Sequence, residues 1–319
     1  MTAGAVPTWV VGAGGLLGSH VVTSLRRRSA PVLTARVPWS DPGAARAALS
    51  EGVARLTEAA DGGPWRLAWC AGAGVVATGA DAMARERAAF RHVLAELEAR
   101  SVLDGSGSLF LASSAGGVYA GSPQRPPFTE ESPVGALVAY GRTKLEMEDD
   151  VASFARATGT AVLVGRIANL YGPGQNLAKA QGLVSQLSRV HLSGQPLSIY
   201  VSLDTLRDYV YAADVGELVV AGLDELPLRT AGLSDRVVTK IVASGASLTI
   251  GSLIGESTRL HRARPRVVVK APTAGSGQIR ELRLRSVVWP ALDRHLRTPM
   301  VVGMARTAAD VAHQLRAAR

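Results

Sequence analysis

Cysteine is almost missing from this sequence. Cys70 is the only one among 319 residues, which excludes an intrachain disulfide and a metal cluster of the Cys-x-x-Cys kind. Its neighbours Leu67, Ala68, Trp69 and Ala71 are apolar and read as a buried strand around an inert thiol. Long hydrophobic runs are missing too. None approaches the roughly 20 residues of a membrane helix. The apolar stretch 6–22 lacks the basic leader of a signal peptide and carries glycines at its centre. The expectation is a cytoplasmic protein without membrane association. There is no internal repeat and no low-complexity tract. With 47% hydrophobic and 19% charged residues, the composition is that of a globular chain able to bury a substantial core, in one large domain or two joined ones.

Acidic residues are scarce at one end. Residues 255–319 hold thirteen Lys and Arg against four Asp and Glu, and this imbalance equals the whole net charge of +9. Trp289 is the only aromatic residue there, so the interleaved stacking groups of a nucleic-acid surface are lacking. Attraction to a small polyanion such as a nucleotide diphosphate and a plain solvated surface explain the charge equally well. No metal site and no nucleic-acid partner are expected.

What is present is alternation. Segments 6–11, 32–35, 67–71, 108–112 and 160–165 read as strands, and 17–28, 44–60, 82–100 and 140–158 as helices. In the third helix Phe90, Val93, Leu94 and Leu97 share one face. Such alternation predicts an α/β fold, a doubly wound parallel sheet with helices on both faces. After the break at Gly172-Pro-Gly174 the pattern is irregular. A smaller α/β cap is expected there, with strand-like stretches at 197–200 and 207–211. The partition is residues 1–171 for the sheet domain, rejoined by parts of 200–245, and 172–319 mainly for the cap.

Four stretches carry chemistry. Gly12-Ala-Gly-Gly15-Leu-Leu-Gly18 follows the first strand and opens the first helix. Glycines there allow a sharp turn and let the backbone approach a pyrophosphate at a helix N-terminus. Leu17 within that loop and Ala71 at the end of the third strand join the same cofactor-binding set. The second strand ends on Arg36 with no carboxylate. An acid at that point grips ribose hydroxyls, whereas an arginine suits a ribose phosphate, which favours NADP with NAD as the alternative. An exposed arginine without a role fits as well. Ser113 and Ser114 end the fourth strand, where open parallel sheets bind ligands. Tyr140 and Lys144 are four apart on a helix and share a face. A cation there favours the phenolate and makes the tyrosine a usable acid or base.

Together with Gly165-Arg-Ile-Ala-Asn-Leu-Tyr-Gly-Pro-Gly174 and Arg207-Asp-Tyr-Val-Tyr-Ala-Ala-Asp214, these motifs resemble the extended short-chain dehydrogenase/reductases, the nucleotide-sugar epimerase/dehydratase group. The likeness covers about residues 8–220 and the remainder loosely. It implies a Rossmann fold with Tyr140 as acid/base, Lys144 on the nicotinamide ribose and Ser114 polarising the reacting oxygen. Gly12, Gly15 and Gly18 would hold the pyrophosphate. Asn169 and Arg207 match positions that contact a nucleotide diphosphate in relatives, although Arg207 could equally pair with Asp204 or Asp208. Arg166 and Asp214 would tie strand ends to loops. The likeness further implies a homodimer through helices 82–100 and 140–158.

The chain departs from the pattern in three places. One extra residue separates the serines from Val118, so Ser113 or a backbone group could stand in for Ser114. Ala115-Gly116 occupies the place of the acidic pair used for dehydration, and elimination of water there lacks its proton carriers. The arginines after residue 255 match too faintly to be assigned. The expected activity is NAD(P)-dependent epimerisation of a nucleotide-linked sugar by transient oxidation at a carbinol carbon. An NADPH-dependent ketoreductase of a nucleotide-linked 4-keto sugar is the alternative, and a non-catalytic dinucleotide-binding regulator is the alternative of another class.

Overall fold

The computed structural model of the chain describes residues 6–72, 79–100, 106–179, 181–271 and 279–318. In its first half β1 (Thr8–Val11), α1 (Leu16–Arg27), β2 (Val32–Thr34), α2 (Pro42–Ala60), β3 (Trp65–Trp69), α3 (Ala80–Ala99) and β4 (Gly107–Ser114) alternate strictly. The short α4 (Ala115–Tyr119) precedes α5 (Ala139–Thr158), β5 (Ala161–Ile167) and β6 (Asn169–Tyr171). The second half runs α6 (Leu183–Ser193), β7 (Leu197–Ile199), β8 (Leu206–Arg207), β9 (Tyr209–Tyr211), α7 (Ala212–Arg229) and β10 (Val237–Val242). It continues with β11 (Leu248–Thr249), α8 (Ile250–His261), β12 (Val267–Val269), β13 (Glu281–Leu282), a 3-10 turn (Pro290–His295) and α9 (Met300–Ala317).

Six strands form one parallel sheet in the order β2-β1-β3-β4-β5-β10. From β1 the chain steps to one side for β2 and to the other for β3, so the strand order reverses at β1. Outside the carboxyl ends of strands at such a reversal, open α/β sheets form their binding crevice. Both faces are apolar because alternate residues point oppositely. Trp9, Val11, Leu67, Trp69, Leu109, Leu111, Val162 and Val164 pack under α2, α3 and α5. Val10, Ala68, Phe110 and Leu163 pack under α1 and α7.

Local chemistry sets the element ends. Asp41 accepts a hydrogen bond from the Ala44 amide at 3.0 Å and Pro42 follows it, so α2 begins two residues before the expected 44. β3 stops at Trp69 because its pairing with β1 ends there. Cys70, expected inside the strand, lies just beyond it, its amide donating to the Val11 carbonyl. The stretch 207–211, expected as one strand, is two. Asp208 breaks it by turning its carboxylate to the amide and hydroxyl of Ser244, while its carbonyl takes hydrogen bonds from Asn169. β8 then joins β11 and β13, and β9 pairs with β6.

Beyond Tyr171 the chain builds these small sheets together with α6, α8 and α9. α7 and β10 are the exceptions, since α7 lies against α1 and β10 closes the edge of the main sheet. Lys240 of β10 is fully buried and binds Ser286, the Val288 carbonyl and Asp293, which ties the C-terminal segment to the sheet. Among the described residues no helix is long and apolar enough to cross a membrane.

Candidate active site

Two cavities open outside the carboxyl ends of the central strands, of about 530 and 510 Å3. They share Gly15, Cys70, Ala71, Gly72 and Lys179 in their walls and so form one cleft. Trp39, Arg46, Leu49, Arg85, Glu86 and His92 complete much of the first. Ser113, Ser114, Tyr140, Lys144, Asn169, Gln175 and Tyr209 line the second. Cys70, expected to be buried in a strand, is instead half-buried in the walls of both cavities, and loss of hydration there pushes its thiol pKa up.

The glycine loop lies at the junction of the two cavities. Gly12 has φ +86°, and a Cβ there would lie 2.6 Å from the Ala71 amide nitrogen. One on Gly18 would lie 2.1 Å from the Gly12 carbonyl oxygen. Only glycine at both positions lets the ends of β1 and β3 and the start of α1 approach this closely. A Cβ at Gly14 meets nothing within 4 Å, so its side of the loop is open to the second cavity. The first turn of α1 has no acidic residue and no side-chain cap, which leaves its leading amides for an anion. These residues fit a dinucleotide pyrophosphate. Leu17 and Ala71 also line the cleft.

Tyr140 is half-buried at the start of α5. A Cβ at Gly117 would lie 3.0 Å from Tyr140 Cε1, and one at Gly141 would lie 2.1 Å from the Gly117 carbonyl oxygen. Two glycines therefore let α5 close on α4 and bring the phenol beside the end of β4. Ser114 there caps α4, its Oγ accepting from the Gly117 amide at 3.2 Å. The cap uses acceptor capacity only, and among the described residues no group takes the hydroxyl proton, which can donate into the cavity. Ser113 donates instead to Glu148 Oε1 at 2.5 Å. Glu148 is held by Arg166, whose guanidinium also donates to the Tyr119 hydroxyl. Arg166 thus braces α5 and α4 against β5, and Asp214 likewise holds the segment at Arg297 and Thr298.

Lys144 is 4% exposed. Its Nζ lies 5.9 Å from the centre of the Tyr140 ring, donates to Glu86 Oε1 at 2.8 Å and reaches the Ala112 carbonyl at 3.4 Å. Burial pushes this ammonium down and Glu86 pulls it up, with a net rise. Glu86, in α3, is a residue the motifs do not mark. A lone carboxylate inside a long helix carries no pattern of its own.

The remaining candidates divide: Asn169 lies in the cleft wall, whereas Arg207 and Arg36 line neither cavity. Asn169 lines the second cavity and donates to the Asp208 carbonyl at 2.8 Å. Arg207 forms neither of the ion pairs weighed for it, since Asp204 pairs with Arg280 and Asp208 turns to Ser244. Its guanidinium donates to the Leu206 carbonyl at 2.8 Å, and burial pushes its pKa down. Arg36 is exposed just past β2 and outside the walls of both cavities, whereas Arg46 of α2 lines the first. Trp39 and Lys179 also escape the motifs, being exposed loop residues without a periodic context. Of the basic residues after 255, Arg259, Arg280, Arg283 and Arg294 are paired with Glu256, Asp204, Glu281 and Glu225. Among the described residues no group of three or more His, Cys, Asp or Glu is arranged to hold a metal ion.

A doubly wound sheet with a glycine cradle at its strand reversal and a tyrosine–lysine helix beside it defines a dinucleotide-binding α/β protein. Residues 8–229 match the model of the NAD dependent epimerase/dehydratase family, and the chain belongs to that family. It is 34% identical over 106 residues to a dTDP-L-rhamnose 4-epimerase of Burkholderia thailandensis, covering 33% of this chain and 28% of that protein. It is 28% identical over 121 residues to a dTDP-4-dehydro-6-deoxyglucose reductase of Escherichia coli, covering 38% of each. The chain thus spans about a third of the length of these curated relatives. In fold it is similar to a UDP-glucose 4-epimerase of Thermotoga maritima solved with UDP-glucose, with a TM-score of 0.80, 22% identity and 97% and 100% of the two chains covered. It is also similar to RMD of Pseudomonas aeruginosa complexed with NADPH, with a TM-score of 0.75, 21% identity and 97% and 98% covered.

Proposed function

We propose that this chain is an NAD(P)-dependent epimerase acting on a nucleotide-linked sugar by transient oxidation at a carbinol carbon. The observation that carries the reading is Tyr140 in the wall of the second cavity, with the free hydroxyl proton of Ser114 beside it and Lys144 one turn along its helix. When bound, the cofactor supplies the acceptor and donor of hydride. Tyr140 takes the hydroxyl proton as the carbinol is oxidised and returns it when the ketone is reduced from the other face. Ser114 donates to the same oxygen and favours its developing charge. Gly12, Gly15, Gly18, Leu17 and Ala71 hold the pyrophosphate, and Lys144 the adjoining ribose. Asn169 and the guanidinium of Arg207, which forms no ion pair among the described residues, receive the nucleotide diphosphate of the substrate. Ala115 and Gly116 offer no proton carrier, which argues against loss of water.

NADP is the cofactor we infer. Arg36 after β2 and Arg46 in the wall of the first cavity are two guanidinium groups suited to a ribose phosphate. The same pair favours a second reading, an NADPH-dependent ketoreductase of a 4-keto sugar, in which the reductant is consumed. In this reading residues 1–171 hold the dinucleotide and 172–319 mainly the sugar. We also infer a cytoplasmic homodimer joined through α3 and α5, which light scattering on the purified protein would test.

Purified protein incubated with a panel of nucleotide-linked sugars and their 4-keto forms separates the readings. The epimerase interconverts two sugars with no net change in the cofactor. Stoichiometric loss of NADPH transfers the assignment to the reductase. Tyr140→Phe removes turnover in either case while cofactor binding persists. Unchanged turnover defeats both.

A further inference from the structure

Glu86 takes no part in the chemistry outlined above, yet it is buried beside it. In α3 it is 9% exposed, and its Oε1 receives the Lys144 ammonium at 2.8 Å. Such a pair gains little net stability over apolar residues of the same volume, because both ions lose their hydration. Its location singles it out. Glu86 lines the first cavity and Lys144 the second. Both reach Gly72, where a Cβ would lie 3.5 Å from Glu86 Oε1 and 3.6 Å from Lys144 Nζ. The pair therefore spans the floor of the cleft where the two cavities meet.

A lysine that promotes the phenolate of Tyr140 must act through an uncompensated positive charge. Here the ammonium 5.9 Å from the ring carries a carboxylate 2.8 Å away, so the phenol faces a dipole rather than a single charge. Of the other charged groups, Lys179 lines both cavities and faces the cleft with Tyr140. Glu148, one turn further along α5, is bound to Arg166 of β5 and Ser113 of β4, and Arg166 in turn to Tyr119 of α4. Arg87 of α3 is tied to Glu146 and Asp150 of α5. Cys70 beyond β3 stays neutral, and Arg85 lies on the wall of the first cavity.

We propose that Glu86 is a positioning residue that fixes Lys144 on the cleft floor and cancels much of its field at Tyr140, setting the pH at which the phenol exchanges its proton. The proposal rests on Tyr140 being the acid/base. It is tested by ultraviolet difference titration of the Tyr140 phenolate, each variant being referred to the same protein with Tyr140→Phe, so that no turnover is needed.

Glu86→Gln keeps the acceptor oxygen and removes the charge. The phenolate transition then moves to lower pH by about one and a half units, the effect of a unit charge ~8 Å away at an effective dielectric of ~20. The limb of the pH–rate profile that reports Tyr140 moves with it. Glu86→Asp, which keeps the charge, restores the transition toward wild type. The double variant Glu86→Gln/Lys144→Gln removes both ions of the pair together and keeps the test valid if the single variant fails to fold. Its transition rises by only about half a unit, because the lysine field, worth about two units from 5.9 Å, is offset by about one and a half from the glutamate.

A double variant shifted up by a unit or more means an uncompensated lysine field and overturns the proposal. So does a Glu86→Gln transition that is unmoved or moves up, as a purely structural role requires. Failure of the parent reading is distinguishable, since Tyr140→Phe would then retain turnover whatever Glu86 does to the titration.

Discussion

Adding one methyl group at Gly141 tests whether the position of Tyr140 depends on how closely α5 approaches α4. The new Cβ would lie 2.1 Å from the Gly117 carbonyl oxygen and 3.0 Å from Ala136 Cβ, where ordinary contact begins at 3.4 Å. The first neighbour is backbone and cannot swing aside, so the helices must separate locally by more than an ångström. Overpacking of this kind costs about 1–3 kcal/mol of stability. A misplacement of about 1 Å between reacting groups costs on the order of 100-fold in rate. Gly141→Ala is therefore expected to fold with a midpoint lowered by a few degrees, to bind the dinucleotide at the remote glycine cradle as wild type does, and to lose one to two orders of magnitude in kcat. Differential scanning calorimetry, cofactor titration and steady-state kinetics read the three separately. Wild-type kcat with a wild-type melting temperature would refute the reasoning, because the helix spacing would then be irrelevant to the phenol. Parallel loss of cofactor binding would refute the claim that the damage is local.

Two further outcomes are expected. Arg36→Asp and Arg46→Asp each shift cofactor preference toward NAD, with the larger shift at Arg46 because it lines the cavity. NADP/NAD ratios unchanged in both variants leave the ribose phosphate without a partner and remove the inference of NADP. In the cap, His191 stacks on His261 with ring centres 4.1 Å apart; burial holds both below the ordinary value of 6.5, and repulsion from His261 adds to it at His191. A histidine depressed in the folded state resists protons that the unfolded chain accepts, so stability is full above about pH 6.5 and falls as pH drops below it. His191→Gln flattens that acid slope. A melting temperature that falls equally in variant and wild type between about pH 7.5 and 5 assigns the acid loss elsewhere.

Much of the fold is legible in the sequence because its driving patterns are local. The alternation of Val10 with Trp9 and Val11, or of Ala68 with Leu67 and Trp69, marks strands buried on both faces, and Gly12 to Gly18 marks the turn after the first. Boundaries go astray where a distant partner decides them. Asp208 splits a strand because Ser244 lies beside it, and β3 ends at Trp69 because β1 ends at Val11. The site divides in the same way. Tyr140, Lys144 and Ser114 are visible as spacing and as a strand exit. Arg46 and Glu86 are ordinary helix residues whose meaning appears only when α2 and α3 are laid against the cleft. Ser113 and Ser114 are indistinguishable in the chain, and only the burial of Glu148 beneath one and the start of α4 above the other separates them.

That asymmetry also explains why the tyrosine–lysine spacing alone defines less chemistry than it suggests. Four residues on a helix guarantee that phenol and ammonium share a face, and a sequence pattern can encode nothing more. Whether the ammonium acts as a charge depends on what faces it from another helix, here a carboxylate some sixty residues earlier in the chain. The same spacing with an apolar residue at position 86 would present Tyr140 with an uncompensated cation and lower its working pH. In the role proposed for Glu86, the ammonium stays charged while the pair as a whole is close to neutral at the phenol. The division of labour proposed for Lys144 and Tyr140 would then be set by the packing of α3 on α5, and the Glu86/Lys144 double variant measures it directly.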